Sequence, residues 1–277
     1  MILLASKSSG RLATLRAAGV EPLVRVSDVD EEAVLGELIR RRREAGLAAP
    51  TAAEQVQALA RAKALDVAAS TDPQEAEVVV GCDSMLEISG QVVGKPTDAA
   101  DARERWRLMS GGTGTLHTGH FLVRTADGAI AEGVSSATIR FGSPSPAEIE
   151  AYIASGEPLW CAGAFTIDGL GGAFIEGIDG DPHGVVGISL PLLRRLLADL
   201  DVVWTDLWAP PPVTRPADDA HRSADGHSGG QDGDEADAAE APQEDSGAWA
   251  TAFMSSARAT CCSRLRRSMT WRRTPSR

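Results

Sequence analysis

Residues 77–96 read Glu-Val-Val-Val-Gly-Cys-Asp-Ser-Met-Leu-Glu-Ile-Ser-Gly-Gln-Val-Val-Gly-Lys-Pro. Three valines, Val78, Val79 and Val80, predict a buried strand that runs into an acid, Asp83. A second extended run, Met85 to Ile88, reaches a Ser89-Gly90 turn signal and returns through Val92 and Val93 to Lys95-Pro96. A two-residue loop at Ser89-Gly90 makes this a hairpin and sets Ser84 opposite Lys95. A carboxylate and an ammonium then stand at the open end of the hairpin. Such a pair suits a polyphosphate: the lysine holds phosphate oxygens, and the acid holds a metal or activates water. A plain hairpin with a surface ion pair has the same residues, and taken alone it is the simpler account.

Outward from this hairpin, extended and helical patterns alternate through residue 208. Residues 2–5 form a short apolar strand, and residues 11–18 a helix closed by Gly19. Residues 52–69 are a stronger helix, with Val56, Leu59, Ala60 and Val67 on one face. Residues 101–110 form another, ending at Gly111. Residues 120–125 and 136–141 read as strands able to pair. Ser145-Pro-Ala-Glu148 is a capping box with proline at the first helical position. Residues 164–167, 173–178 and 185–190 read as strands between Gly-rich turns, and Pro191 opens a last helix. The mixture predicts an α/β or α+β fold with a mixed sheet.

Composition narrows the function classes. The chain has 277 residues, 43% of them hydrophobic, enough for one good-sized α/β core or two small ones. Its formal net charge of −12 argues against a whole-surface nucleic-acid binder. Cys82, Cys161, Cys261 and Cys262 make no CxxC, so neither a zinc site nor a disulfide framework is indicated. Cys82 and Cys161 read as core thiols. The opening Met-Ile-Leu-Leu-Ala-Ser-Lys is too short for a signal-peptide apolar region, and no run approaches a membrane span. The expectation is a reducing cytoplasm. A Pro210-Pro211-Pro212 cluster marks a boundary, so residues 1–208 are expected to fold and residues 209–277 to form a disordered tail. The tail's acidic run around residues 232–240 lacks the glycine and glutamate of a calcium loop. Its Arg-rich end reads as an interaction segment or, more simply, a solvated extension.

Four stretches could carry chemistry. Ser8-Ser9-Gly10-Arg11 links the first strand to the first helix, where free amides and the helix dipole favour a phosphate. An ordinary cap and a solvated arginine explain it as well. Lys63 points from the middle of an apolar helix face, so it either snorkels to water or emerges into a cleft that holds an anion. The acids of residues 28–32 offer metal ligands, or complement a helix N-terminus. The glycine density of residues 162–172 and 176–180 permits tight turns or a close flat ligand. His117, His120 and His183 lack ligand spacing and read as structural or exposed.

In combination these elements resemble the Maf family of nucleoside triphosphate pyrophosphatases, over residues 1–208. The resemblance lies in Leu4-Ala5-Ser6-Lys7-Ser8-Ser9-Gly10-Arg11, Val29-Asp30-Glu31, Ala60-Arg61-Ala62-Lys63-Ala64, Gly81-Cys82-Asp83-Ser84 and Gly94-Lys95-Pro96. Ser155-Gly156-Glu157-Pro158 and Ala162-Gly163-Ala164-Phe165 extend it. Each motif is weak, but their number, order and spacing make a strong match. There are departures. Ser9 and Gly10 replace a common Pro-Arg, Gly114 stands where many members have His, and Ser189 replaces the proline of Gly-Leu-Pro-Leu.

The resemblance implies an inosine-triphosphatase-like mixed sheet with flanking helices and a central cleft. It implies cleavage of a nucleoside triphosphate to monophosphate and pyrophosphate, removing non-canonical or excess nucleotides. Asp83 would be the catalytic base, with Ser8, Arg11, Lys63 and Lys95 on the phosphates. Mg²⁺ or Mn²⁺ would sit near Asp83, Asp30 and Glu31. Three positions linked to base choice fall on Gly10, Ser84 and Asp168, and they match neither the pyrimidine nor the methylated-guanosine subgroup. The implied partners are the nucleotide and a second copy in a homodimer, with no nucleic acid and no membrane. The alternative is a non-enzymatic nucleotide-binding regulator of septum formation.

Overall fold

The computed structural model describes residues 1–209, and the expectations for the tail, including Cys261 and Cys262, lie outside the described residues. A seven-stranded sheet forms the centre, ordered β2-β1-β3-β5-β6-β7 with β4 paired to β3. Its strands are β1 (Ile2–Leu4), β2 (Leu23–Val24), β3 (Val78–Ile88), β4 (Gln91–Val93), β5 (Thr113–Arg124), β6 (Ile130–Phe141) and β7 (Ile175–Asp179). The β1–β2 and β1–β3 pairs are parallel and the rest antiparallel, so the sheet is mixed, as expected. The helices are α1 (Ser9–Ala17), α2 (Glu31–Glu44), α3 (Ala52–Ala68), α4 (Ala99–Met109), α5 (Pro146–Ala154), α6 (Pro182–Val186) and α7 (Leu190–Ala198).

The strand period divides the core. Val78, Val80, Cys82 and Leu122 face one side, with Leu193, Leu196 and Leu197 of α7. Val79, Phe121 and Val123 face the other, against Ala60, Ala64 and Val67 of α3. Farther along β3, Leu86 joins Trp106, Ile139, Phe141 and Tyr152 in a separate aromatic cluster. Thus β3 spans two cores, and the stretch between them is where ligand chemistry has room.

The hairpin register is as the sequence predicts: Leu86↔Val93, Glu87↔Val92 and Ile88↔Gln91. Ser89 and Gly90 have φ of 50° and 75°, both left-handed, as a type I′ turn requires. The ladder stops at Val93, however, so Lys95 does not face Ser84. The partner of Ser84 is Thr118 on β5.

Other expectations need correction. Residues 164–167 are not a strand: Gly163 and Ala164 are both left-handed, at φ 74° and 64°, which breaks an extended ladder. Residues 185–190 are not a strand either. Asp181 caps α6 by accepting from the His183 and Gly184 amides, and Pro182 starts that helix. The local cap overrides the β-branched Val185-Val186 pair. Helix α2 buries no residue fully, so it gives no apolar stripe to read. The capping box at Ser145 and Glu148 is present in full. Among the described residues no helix is long and apolar enough to cross a membrane.

Candidate active site

β1 pairs with β3 only as far as Leu4↔Val80, and β4 joins only at Leu86↔Val93. Residues 81–85 therefore have a strand partner on the β5 side alone. This notch opens at the C-terminal end of parallel strand β1, the kind of position where open α/β sheets place ligands. Asp83 and Ser84 are consecutive within it, so their side chains leave on opposite faces.

Asp83 faces α3, which lies unusually close. A Cβ on Gly81 would fall 2.3 Å from the Ala60 carbonyl oxygen, and one on Gly119 2.5 Å from that of Val56. Any side chain at either position would push the helix off the sheet. Gly119 is also the register partner of Asp83. The close approach delivers Lys63, whose Nζ donates to Asp83 Oδ1 at 2.6 Å and pairs with Glu31 at 2.7 Å. The Lys63 side chain is only 12% exposed and that of Asp83 11%, against 55% for Glu31. Burial raises the Asp83 carboxyl above the usual carboxylate range, and the charges of Lys63 and Arg11 oppose that rise.

Ser84 faces α1. Ser8 caps that helix, its Oγ accepting from the Arg11 amide at 3.4 Å. The Arg11 side chain turns inward and is buried. Its Nε donates to Gly187 O at 2.8 Å, one terminal nitrogen to Ser6 Oγ at 3.0 Å, and the other to Ser84 Oγ at 3.1 Å. A guanidinium has five N–H donors, so each terminal nitrogen keeps one for a ligand. Two cations thus approach Asp83 from opposite faces of the sheet through one notch.

The remaining predicted residues divide. Asp30 is committed as the N-cap of α2, accepting from the Ala33 amide at 3.0 Å, while Glu31 reaches the Lys63 ammonium. Among the described residues no group of three or more His, Cys, Asp or Glu gathers to hold a metal ion, so the expected trio is not assembled. Gly10 and Asp168 lie together: a Cβ on Gly10 would be 3.2 Å from Val186 and 3.6 Å from Asp168 Oδ2. Beside them an open cavity of about 350 Å³ runs along α1, lined by Ala13, Thr14, Ala17, Asp168, His183 and Val186. Lys95 is exposed on the loop after β4 and makes no ion pair among the described residues. Its charge bears instead on the Cys161 thiol, which burial nonetheless pushes up to about 11. Burial does the same to Cys82, which lies in the core as expected, whereas Cys161 is only half-buried.

The sequence reading missed Ser6, Thr118 and Gly187, each in contact with Arg11 or its partners. Ser6 stands two residues before the Ser8 cap, and its hydroxyl is the signal the sequence offers. Gly187 stands in the stretch matched to Gly-Leu-Pro-Leu, but its bond to Arg11 is not written there, and Thr118 is brought in by the β3–β5 pairing that no local pattern announces. His120 is structural, as expected, and is wholly buried.

A family model described as Maf-like protein matches residues 1–200. A protein of Streptomyces coelicolor named nucleoside triphosphate pyrophosphatase is 53% identical over 209 residues, covering 76% of this chain and 95% of that protein. One of the same name from Rhodococcus jostii is 52% identical over 212 residues, covering 74% and 95%. Another from Mycobacterium sp. is 50% identical over 212 residues, covering 75% and 97%. The family match spans nearly all the described residues, and these relatives align almost end to end: the chain belongs to the Maf-like protein family.

Proposed function

We propose that this protein hydrolyses nucleoside triphosphates between the α- and β-phosphates, yielding a monophosphate and pyrophosphate. One observation carries the reading. A nearly buried carboxylate, Asp83, stands in a sheet notch between Lys63 and Arg11, beside the N-terminus of α1. A nearly buried carboxylate held between two cations, one of them with spare donors, is the kind of charge arrangement that gathers at functional sites. The names of the related proteins point the same way and do not favour a purely regulatory role.

In this reading the free N–H groups of Arg11, the first-turn amides of α1 and the Lys63 ammonium neutralise the phosphates. Ser8 fixes the turn that presents those amides. Asp83 takes a proton from the attacking water, its basicity supported by burial and moderated by the two cations. Positioning and charge neutralisation supply most of such catalysis. Lys95, exposed on the loop after β4, would reach the far end of a bound nucleotide or its outer phosphate.

A divalent cation suits the donors present. Asp83 and Glu31 offer hard carboxylate oxygens on one ammonium, and Mg²⁺ commonly takes one or two carboxylates along with substrate phosphates. Asp83 and Glu31 would hold it, with Asp30 left to its cap. When bound, the ion would neutralise phosphate charge and polarise the bridging oxygen.

Pyrophosphate release from purified protein with a panel of canonical and modified nucleoside triphosphates is the direct test. Asp83→Asn should lower turnover by about 10³-fold, within the usual range for a general base, while nucleotide binding persists. Near-wild-type turnover of Asp83→Asn would remove Asp83 as the base.

A further inference from the structure

We infer that Thr118 is a positioning residue for Arg11, acting through Ser84 and through the backbone of residues 184–189. The inference rests on the phosphate-binding role given to Arg11 above. Thr118 and His120 alternate to the same face of β5, and both are 0% exposed. The Thr118 hydroxyl donates to Gly184 O at 2.8 Å. Its single proton is then spent, so the 2.8 Å contact between the Thr118 and Ser84 hydroxyls must be donated by Ser84. Ser84 in turn accepts from Arg11. The result is a directed chain: Arg11 to Ser84, Ser84 to Thr118, Thr118 to the Gly184 carbonyl.

A second path reaches Arg11 from the same strand. The Ser189 amide donates to His120 Nε2 at 2.8 Å, and His120 Nδ1 lies 3.1 Å from Thr118 O. An amide only donates, so Nε2 is the acceptor and Nδ1 carries the proton. Thr118 and His120 thus pin the two ends of residues 184–189. Between those pins, Gly187 O receives Arg11 Nε at 2.8 Å. Two of the three bonds that orient the guanidinium therefore trace back to β5. Only the bond to Ser6 does not.

Without the Thr118 hydroxyl, Ser84 loses its acceptor and Gly184 O loses its donor. Ser84 is then free to turn its proton elsewhere, and the guanidinium loses the orientation that aims its spare donors at the notch. Phosphate affinity should fall, while Asp83, on the opposite sheet face, is undisturbed.

The test uses Thr118→Val, which keeps shape and removes the hydroxyl, and Thr118→Ser, which restores it. Binding of inorganic tripolyphosphate is measured by titration calorimetry alongside steady-state kinetics. Thr118→Val should weaken tripolyphosphate binding and raise KM by about 10-fold, the scale of one charged hydrogen bond, with kcat within about 2-fold. Thr118→Ser should restore both. In an Arg11→Ala background, Thr118→Val should add nothing. If Thr118→Val does not fold, Ser84→Ala interrupts the same chain and should show the same weakening. Wild-type affinity in Thr118→Val, effects that multiply with Arg11→Ala, or no tripolyphosphate binding by the wild type would each overturn the inference. A wild type that binds tripolyphosphate but hydrolyses no nucleotide would fail the proposed activity alone.

Discussion

The half of the sheet around β1 buries charge and hydroxyls, whereas the half beyond Leu86 buries aromatic rings. Every buried polar or charged residue among the described ones (Ser6, Arg11, Thr14, Asp83, Thr118, His120 and Ser189) belongs to the first half. In the second half Trp106 packs edge-on against Phe141, Tyr152 and Phe174 at centroid distances of 6.1, 5.6 and 5.6 Å. Its indole N–H is satisfied by Ala164 O at 2.9 Å. On the α3 side of the first half, Ala60 and Ala64 pack over Gly81 and Gly119, so that helix approaches closely and functional groups are held by hydrogen bonds. The second half gains its rigidity from area and ring geometry. One strand, β3, serves both, and the chemistry sits where it passes between them.

Trp106→Ala should show the largest stability effect, about 4 kcal/mol, because it removes the hub of the aromatic cluster and leaves a cavity. The expected signature is a lower urea midpoint with kcat/KM per folded molecule unchanged in native buffer. A large loss of kcat/KM in fully folded protein would mean that the aromatic half shapes the notch directly.

The polar half should instead respond to acid. Burial lowers the His120 imidazole from its ordinary 6.5 to about 4, and the nearby Arg11 charge adds to the effect. Asp181 and the Thr118 carbonyl oppose it. A depressed folded-state value means the neutral ring is what the fold requires. Its contribution is fully present above about pH 6.5 and is lost as pH falls towards 4, about 3 kcal/mol in all. Urea midpoints at pH 7, 5.5 and 4 should show this slope in the wild type. In His120→Asn that component should be missing, whatever its stability at pH 7. Equal slopes in the two proteins would place the acid sensitivity elsewhere.

Gly81→Ala probes the junction where α3 meets the polar half. The added methyl would lie 2.3 Å from Ala60 O and 2.8 Å from the Ala64 amide nitrogen, backbone atoms that cannot turn aside. The helix must lift, at about 2 kcal/mol, a typical cost of overpacking. Lys63 lifts with it, so turnover and stability should fall together, unlike in Trp106→Ala. Retained turnover with a lowered midpoint would show that Lys63 can follow Asp83 through side-chain flexibility alone.

What the sequence made legible divides along the same lines. Strand β3, the Ser89-Gly90 turn, the α5 capping box and the α3 apolar face are local patterns, and the structure carries each of them. Lys63 stands out because a charge in an apolar stripe needs a reason, and its partner Asp83 stands 2.6 Å away. Helix α2 escaped because it buries nothing fully, and α6 because five residues set by one aspartate cap look like a β-branched strand. The opposition of Ser84 and Lys95 failed because β4 is only three residues long and its ladder ends at Leu86↔Val93, leaving that edge of β3 open beside Ser84. Thr118 was invisible for a related reason. A threonine in a strand reads as an ordinary polar position until the strands on either side are known.

The hairpin tip gives the smallest effect and the sharpest check on where the two halves separate. Ser89 adopts φ 50° without being glycine, asparagine or aspartate, a mild strain in a type I′ turn. Ser89→Asn supplies the side chain that tolerates this conformation and should raise stability by about 0.5 kcal/mol. The hairpin ladder ends at Leu86↔Val93, one residue short of the notch. A firmer turn should therefore leave KM and kcat untouched, while the urea midpoint rises slightly. If Ser89→Asn alters KM, the hairpin and the notch are coupled through β3. The exposed loop carrying Lys95, which follows directly on β4, would then be the path by which the turn is felt at the phosphates.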